Sequence, residues 1–437
     1  MRRLPGVLAA AILIAALGAA LGAARGAGAA EVSKPLQGLL PTETSCVKCH
    51  AELDGEWGEP TKHTGEDVHF GRALSCHNCH GGDPTAGFDG DPTLAHSRAK
   101  GWTGKPARKE IPGFCARCHA DPEFMKKFDP HTRVDQLSEY LTSGHGRRLK
   151  TGDDKVAVCV DCHGAHGIRK VSDPQSGVHP TRLADTCARC HGDKALMAPY
   201  GLPATPPDDY RKSVHAKALY DNGDLSAPTC NDCHGSHGAT PPGVQNVSAV
   251  CGSCHTREAS LFRETEAKRR IDLSDCSQCM VCHSNHAVLK PTDDMLGIGP
   301  GSTCTTCHSE GDAQYGDADT MAKSLAGVQA RLAEARGLLD GAGRAGVEVG
   351  PERFALQAGQ DHVVEARVLV HSFDLERFLA ATAEGQKVAG AGVEAGHRAF
   401  DELHFRRNGL WLFLVVVVAV MIALGLKARD LSRQDPA

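Results

Sequence analysis

The chain has 437 residues, 41% of them hydrophobic, a formal net charge of −5 with neutral histidine, and 19 cysteines. The length predicts two to four domains. The sequence has no long run of basic residues, and this argues against a nucleic-acid partner.

Residues 1–30 have the pattern of a secretory signal peptide. Arg2 and Arg3 form a positive start, the stretch from Leu4 to Ala24 is apolar, and Ala27-Gly28-Ala29 offers a small-residue cleavage site. The alternative is an N-terminal anchor that is not removed. Either way, we expect the chain that follows to be exported.

Cys-x-x-Cys-His, the attachment signature of c-type haem, occurs nine times. Disulfide frameworks and zinc sites also use many cysteines, but neither requires a histidine directly after every second one. The sequence therefore predicts nine covalently bound c-type haems, with the cysteines as attachment points and the histidines as proximal iron ligands. The motifs are Cys46, Cys49, His50; Cys76, Cys79, His80; Cys115, Cys118, His119; Cys159, Cys162, His163; Cys187, Cys190, His191; Cys230, Cys233, His234; Cys251, Cys254, His255; Cys279, Cys282, His283; and Cys304, Cys307, His308.

The haem region has too few residues for an ordinary core. Residues 46–310 leave about 29 residues for each motif, which is too few to build an apolar core around each haem. The aromatic content of 5% agrees. We therefore expect the porphyrins themselves to form the core of this region.

A unit of about 70 residues recurs in the haem region. It reads extra histidine, motif, extra histidine, motif, and it is clearest from His145 to His191 and from His215 to His255. A looser copy precedes these two and a partial copy follows them. The motifs therefore form four pairs, preceded by a single motif at Cys46.

The extra histidines are candidate distal ligands. Eleven lie in this region beyond the nine proximal ones, and His77, between Cys76 and Cys79, is poorly placed to reach another iron. Two imidazoles saturate a haem iron, which favours electron transfer over substrate chemistry. Ten candidates remain for nine irons: His63, His69, His96, His131, His145, His166, His179, His215, His237 and His286.

One repeat lacks a histidine. The segment Tyr210 to Lys217 resembles Phe262 to Lys268, but Glu266 or Ala267 takes the place of His215, and residues 256–282 contain no histidine. One haem is therefore either open or takes its ligand from a distant segment. The remaining cysteine, Cys276, is either an ordinary thiol or a redox-active or intermolecular one.

After His308 the composition changes to that of helices. An apolar stripe from Met321 to Leu339 at steps of four and three predicts a helix. A Gly-rich turn at 341–350 should end it, a second helix should run to about Ala383, and 385–396 should form a further break. We predict a helical hairpin and stalk. The histidines here, His362, His371, His397 and His404, are either ordinary residues or include the missing ligand.

Residues 409–426 form an apolar run without a charge, just long enough to cross a bilayer. Because c-type haem is attached outside the cytoplasmic membrane, residues 31–405 should lie on the periplasmic side of a bacterial cytoplasmic membrane, with a short cytoplasmic tail. The expected organisation is a signal peptide (1–30), a nonahaem cytochrome domain (31–310), an α-helical domain (311–405) and a transmembrane anchor with its tail (406–437).

Over residues 46–310 the chain resembles the doubled-CxxCH multihaem cytochromes of respiratory bacteria. The resemblance implies a multihaem cytochrome c fold with little regular secondary structure, a haem-packed core and mostly bis-histidine iron. Because two axial imidazoles favour electron transfer, we expect an electron-transfer subunit more than a stand-alone enzyme.

Three functions follow as hypotheses. The first is an electron relay between a membrane-bound quinol-oxidising subunit and periplasmic or extracellular redox acceptors. The second is an oxidoreductase that reduces a nitrogen or sulfur oxyanion, or oxidises hydroxylamine, at one open haem. The third is a structural filament or scaffold, against which the membrane helix argues.

Overall fold

The computed structural model describes residues 40–87, 91–241, 243–274 and 277–434. The predictions for the signal peptide and for Cys276 lie outside these residues. Within them the chain is mostly helical, and none of the described residues forms a β-strand. The chain divides into two compact units, Met1–Val247 and Ser248–Ala437.

The first unit is built from short helices. The expectation of little regular secondary structure is therefore met only in part, because the helices are frequent but none exceeds 12 residues. They are α1 (Ser45–Ala51), α2 (Glu59–Lys62), α3 (Cys76–His80), α4 (Pro92–Ala95), α5 (Ile111–His119), α6 (Pro122–Met125), α7 (Gln136–Thr142), α8 (Gly144–Lys150), α9 (Cys159–His163), α10 (Pro180–His191), α11 (Lys194–Met197), α12 (Pro206–Lys212), α13 (Val214–Tyr220) and α14 (Cys230–His234).

Several of these short helices coincide with the Cys-x-x-Cys-His motifs. In α3, α9 and α14 the helix begins at the first cysteine and ends at the proximal histidine. One helical turn places residues i, i+3 and i+4 on the same face, which brings both thiols and the imidazole together. The residue before the second cysteine caps the turn: Asp161 Oδ2 accepts from Val158 N at 2.6 Å, and Asp232 Oδ2 accepts from Thr229 N at 2.7 Å.

The second unit contains three short helices and a three-helix bundle. The short ones are α15 (Thr256–Arg263), α16 (Glu266–Leu273) and α17 (Met280–His283); the bundle consists of α18 (Ala313–Arg344), α19 (Gly350–Leu369) and α20 (Leu375–Gln434). The stripe predicted from Met321 to Leu339 is buried in α18 and forms the core of the bundle with Leu356, Val363 and Phe378. This part of the helical prediction is confirmed.

The bundle runs up, down and up. Ser324 Oγ donates to Thr382 Oγ1 at 2.8 Å near the start of α18, and Gly341 lies against Phe400 near its end, so α18 and α20 are parallel. Gly359 of α19 lies against Leu332, and Leu356 lies against Gly392, so α19 is antiparallel to both. The start of α20 is therefore at the end of the bundle where α18 begins.

Two predicted helix boundaries were wrong. The second helix ends at Leu369, not near Ala383, and residues 385–396 lie inside α20 rather than in a break. The reason is packing. Three glycines of this segment face neighbouring helices so closely that a Cβ atom would clash with them: Gly385, Gly392 and Gly396. These glycines therefore allow close contact between helices instead of ending the helix.

The third helix also replaces the predicted hairpin and stalk. Beyond Leu403 every described side chain of α20 up to Arg433 is exposed, and the apolar run at 409–426 continues the same helix. By length and composition α20 is the one described helix suited to crossing a membrane. The described residues contain no separate stalk between the bundle and this span.

Close glycine packing in α20 leads to a stability prediction. A Cβ atom on Gly396 would lie 2.5 Å from Leu338 Cβ, which cannot move without its backbone. We expect Gly396→Ala to destabilise the bundle by about 1–3 kcal/mol through overpacking. Gly390 has no atom within 4 Å of such a Cβ, so Gly390→Ala should stabilise the helix by about 0.5–1 kcal/mol. Thermal unfolding followed by circular dichroism checks the pair, and equal midpoints in the two variants would contradict the packing argument.

Candidate haem-binding sites

Six proximal histidines each face a second histidine ring. Two metal–nitrogen bonds of about 2 Å each and the radii of two imidazole rings add up to a centroid separation of about 6 Å, so these pairs have the spacing of two axial ligands of one iron. The pairs and their centroid distances are His50 and His96 (6.0 Å), His119 and His69 (6.0 Å), His80 and His166 (6.3 Å), His191 and His145 (6.1 Å), His163 and His237 (6.1 Å), and His283 and His371 (6.0 Å).

Hydrogen bonds orient several of these rings. The Nδ1 atom of His50 donates to Trp57 O at 2.8 Å, that of His80 to Gly104 O at 2.9 Å, and that of His371 to Val368 O at 3.0 Å. Because a carbonyl oxygen only accepts, the proton is on Nδ1 and the Nε2 lone pair is free for a metal.

Burial also favours the form of histidine that ligates iron. It lowers the pKa of both rings in the pairs His145 with His191 and His163 with His237. Removal from water disfavours the charged imidazolium, so the rings stay neutral, as a metal ligand must be.

His69 has a stronger partner than a carbonyl group. Asp67 Oδ1 accepts from His69 Nδ1 at 3.0 Å and from the His69 backbone N–H at 2.8 Å, while Oδ2 accepts from Ile168 N at 3.0 Å. Burial raises the pKa of Asp67, but these hydrogen bonds outweigh burial and hold the pKa below its usual value. The ionised carboxylate makes the His69 imidazole a stronger electron donor.

We expect Asp67→Asn to raise the reduction potential of the haem carried by His119. The amide is a weaker hydrogen-bond acceptor than the carboxylate, so the His69 ring would stabilise ferric iron less. Each tenfold loss in the preference of the ligand for ferric over ferrous iron raises the potential by about 59 mV. A redox titration followed by absorbance measures the shift. Asp173→Asn is the control, since Asp173 is on the surface beside Arg169. An unchanged potential in Asp67→Asn would contradict this role.

Consecutive motifs are neighbours in space within each unit. In unit Met1–Val247 the interactions alternate between pairs of first cysteines and pairs of second cysteines, whereas Cys282 in the other unit interacts with both cysteines of the last motif. The neighbouring thiol of Cys159 raises the pKa of Cys115, that of Cys230 raises the pKa of Cys187, and that of Cys251 lowers the pKa of Cys279. A neighbouring thiol also contributes to a raised pKa at Cys46 (from Cys76), Cys79 (from Cys118), Cys162 (from Cys190) and Cys282 (from Cys304 and Cys307).

Of the ten predicted distal ligands, five face a proximal histidine: His69, His96, His145, His166 and His237. His215, at the start of α13, and His286, after α17, stay predicted ligands.

Three other candidates have different surroundings. His63 has Glu66 Oε1 at 2.7 Å from Nδ1 and Glu59 Oε1 at 3.2 Å from Nε2, which occupies both nitrogens. His179 caps α10, its Nδ1 accepting from Thr181 N at 3.3 Å. His131 lies exposed in a turn. We do not assign these three to an iron.

His371 is the ligand candidate that the repeat pattern did not identify. It lies between α19 and α20, far along the chain from His283, so no local spacing indicates it. The surrounding contacts hold it in place: Phe262 and Phe373 have ring centroids 6.1 Å apart, and Arg367 Nε donates to Asp293 Oδ1 at 2.9 Å. His371 was one of four histidines of the helical region that could include a missing ligand, but no spacing distinguished it from the other three.

Comparison with known families agrees with the motif assignment. A family model described as the doubled CXXCH motif matches residues 223–260. This segment contains two consecutive motifs, Cys230 to His234 and Cys251 to His255. No curated protein and no solved structure matches the chain.

Proposed function

We propose that this chain, which belongs to the multihaem c-type cytochromes, is a membrane-anchored electron-transfer protein that binds nine haems and passes electrons along them outside the cytoplasmic membrane. The observation that carries the proposal is the set of six facing histidine pairs. A c-type haem with two imidazole ligands exchanges single electrons and has no iron position left for a substrate.

The protein's own residues would then do three things. The cysteines of each motif hold the haem edge, the proximal histidine ligates the iron, and the facing histidine completes the ligand set. For six motifs we assign His96, His166, His69, His237, His145 and His371 as the distal ligands of the irons held by His50, His80, His119, His163, His191 and His283.

The contacts between consecutive motifs support a relay. Within each unit the thiols of neighbouring motifs shift each other's pKa, as Cys230 raises that of Cys187 and Cys251 lowers that of Cys279, so the thiols lie close together. Each of these thiols would be bonded to the edge of its own haem. Neighbouring haem edges would therefore be close, which is the arrangement that electron transfer from haem to haem needs.

The bundle supports a separate donor protein rather than direct oxidation of quinol by the haems of the second unit. From Leu375 to Gly409 helix α20 rises about 50 Å. Membrane-spanning helices tilt by up to about 40°, so a spanning α20 would hold His371 about 40–50 Å from the apolar run. We propose a membrane-bound quinol-oxidising subunit whose own redox centre reaches this height, and periplasmic or extracellular acceptors.

Low-temperature EPR of the oxidised, detergent-solubilised protein tests the proposal. We expect low-spin ferric signals from at least six irons, integrated against the haem content that intact mass provides. The ring planes of His69 and His119 are 78° apart, whereas those of His163 and His237 are 9° apart, so signals of both high and low g anisotropy are expected. High-spin signals from most of the irons would contradict the relay.

A further inference from the structure

Three segments of the chain begin a helix in the same way. Ser143, Ser213 and Thr265 are the N-caps of α8, α13 and α16, and each is buried. In each case the cap hydroxyl accepts from the backbone N–H three residues later at 3.0 Å. The three segments therefore share one local frame, and their residues can be compared position by position.

The second residue of each helix is where the copies differ. It is His145 in α8, His215 in α13 and Ala267 in α16. His145 faces His191, the proximal histidine of the second motif in its own pair. His69, ahead of the first pair, likewise faces His119 of that pair's second motif. By this register Ala267 corresponds to His308.

The other iron of the last pair already has a distal ligand in our assignment. His371 faces His283, the proximal histidine of the first motif. Among the described residues, none of the six facing histidine pairs includes His308.

The third copy keeps the same helix start but packs against a different neighbour. Tyr140 and Tyr210 donate their hydroxyls to the backbone oxygens of Ala157 and Pro228 at 2.9 and 3.0 Å. Phe262 takes the equivalent place in the third copy, without a hydroxyl, and packs on Phe373. The helix start is therefore preserved, while the histidine is replaced by a methyl group that cannot ligate iron.

We infer that the haem attached to Cys304 and Cys307 has His308 as its one protein ligand and that its other face, beside Ala267, binds a small exogenous ligand of iron. The ligand class is a diatomic molecule such as carbon monoxide or nitric oxide, or a small anion such as cyanide or nitrite. This inference rests on the proposed haem attachment and bis-histidine scheme. It also gives the site at which an oxidoreductase activity would have to occur.

Carbon monoxide binding to the dithionite-reduced full chain tests the inference. We expect about one carbon monoxide per chain, together with one high-spin ferric iron in the oxidised EPR spectrum. Ala267→His should restore the histidine of the other copies, converting that iron to low spin and abolishing carbon monoxide binding. Glu266→His is the matched control, because the neighbouring helix position points elsewhere; it should leave both signals unchanged.

The outcomes separate this inference from the relay proposal. Absence of carbon monoxide binding in the wild type, or binding that persists unchanged in Ala267→His with full haem content, would overturn the inference and leave the relay standing. Binding at many irons would instead contradict the relay. Titration of the oxidised wild type with imidazole needs no mutation: loss of the high-spin signal supports an accessible iron, and a signal that imidazole cannot change argues against one.

Discussion

His371→Ala is expected to add one high-spin iron to the oxidised protein and one carbon monoxide site to the reduced protein. His371 faces His283 at 6.0 Å with ring planes 18° apart, and its Nδ1 donates to Val368 O. Removing the ring would leave that iron with one imidazole. The thioether bonds to Cys279 and Cys282 do not depend on it, so the haem content should not change.

The surrounding contacts should keep the fold in place in this variant. Phe262 still packs on Phe373, and Arg367 still pairs with Asp293. EPR integration and carbon monoxide titration measure the effect. His397→Ala is the control, because His397 is exposed on α20. If the two variants give the same spectra as the wild type, the iron held by His283 takes its second ligand from elsewhere.

Removal of residues 409–437 is expected to transfer the protein almost completely from the membrane fraction to the soluble fraction. The apolar run at 409–426 is long enough to cross a bilayer. The last side chain of α20 that packs against the bundle core is Leu403. The truncation therefore removes the anchor but no part of the core, and haem content and absorbance should match those of the full chain.

Fractionation after a high-salt wash measures this effect. A shorter truncation that removes only residues 428–437 is the control; it leaves the apolar run intact and should stay membrane-bound. If the longer truncation still sediments with lipid and needs detergent for release, the anchor lies elsewhere, and a retained N-terminal segment becomes the first alternative.

Features that depend on residues close together in the sequence could be predicted from it. Three attachment motifs, Cys76–His80, Cys159–His163 and Cys230–His234, form single helical turns, in which residues three and four positions apart share one face. The stripe from Met321 to Leu339 indicated a packed helix, and it forms the core of the bundle. The run at 409–426 indicated a membrane helix by its length and its lack of charge.

Helix ends within the bundle could not be predicted in the same way. Glycine weakens an isolated helix, so Gly385, Gly392 and Gly396 suggested a break. In the bundle the same glycines let α20 approach α18 and α19 closely. This packing outweighs the low helix propensity of glycine. The distances that decide this are between helices, and no pattern within one helix contains them.

The sequence by itself indicated the haem class, the candidate attachment cysteines and proximal histidines, and the apolar helix suited to crossing a membrane. Each of these depends on residues that are adjacent or one helical turn apart. Only the tertiary structure decided which second histidine faces which proximal histidine. His166 reaches back to His80 and His371 to His283 across long stretches of chain. These partners are chosen by packing, such as that of α15 on the segment between α19 and α20, because an imidazole can ligate only an iron that the fold brings to it.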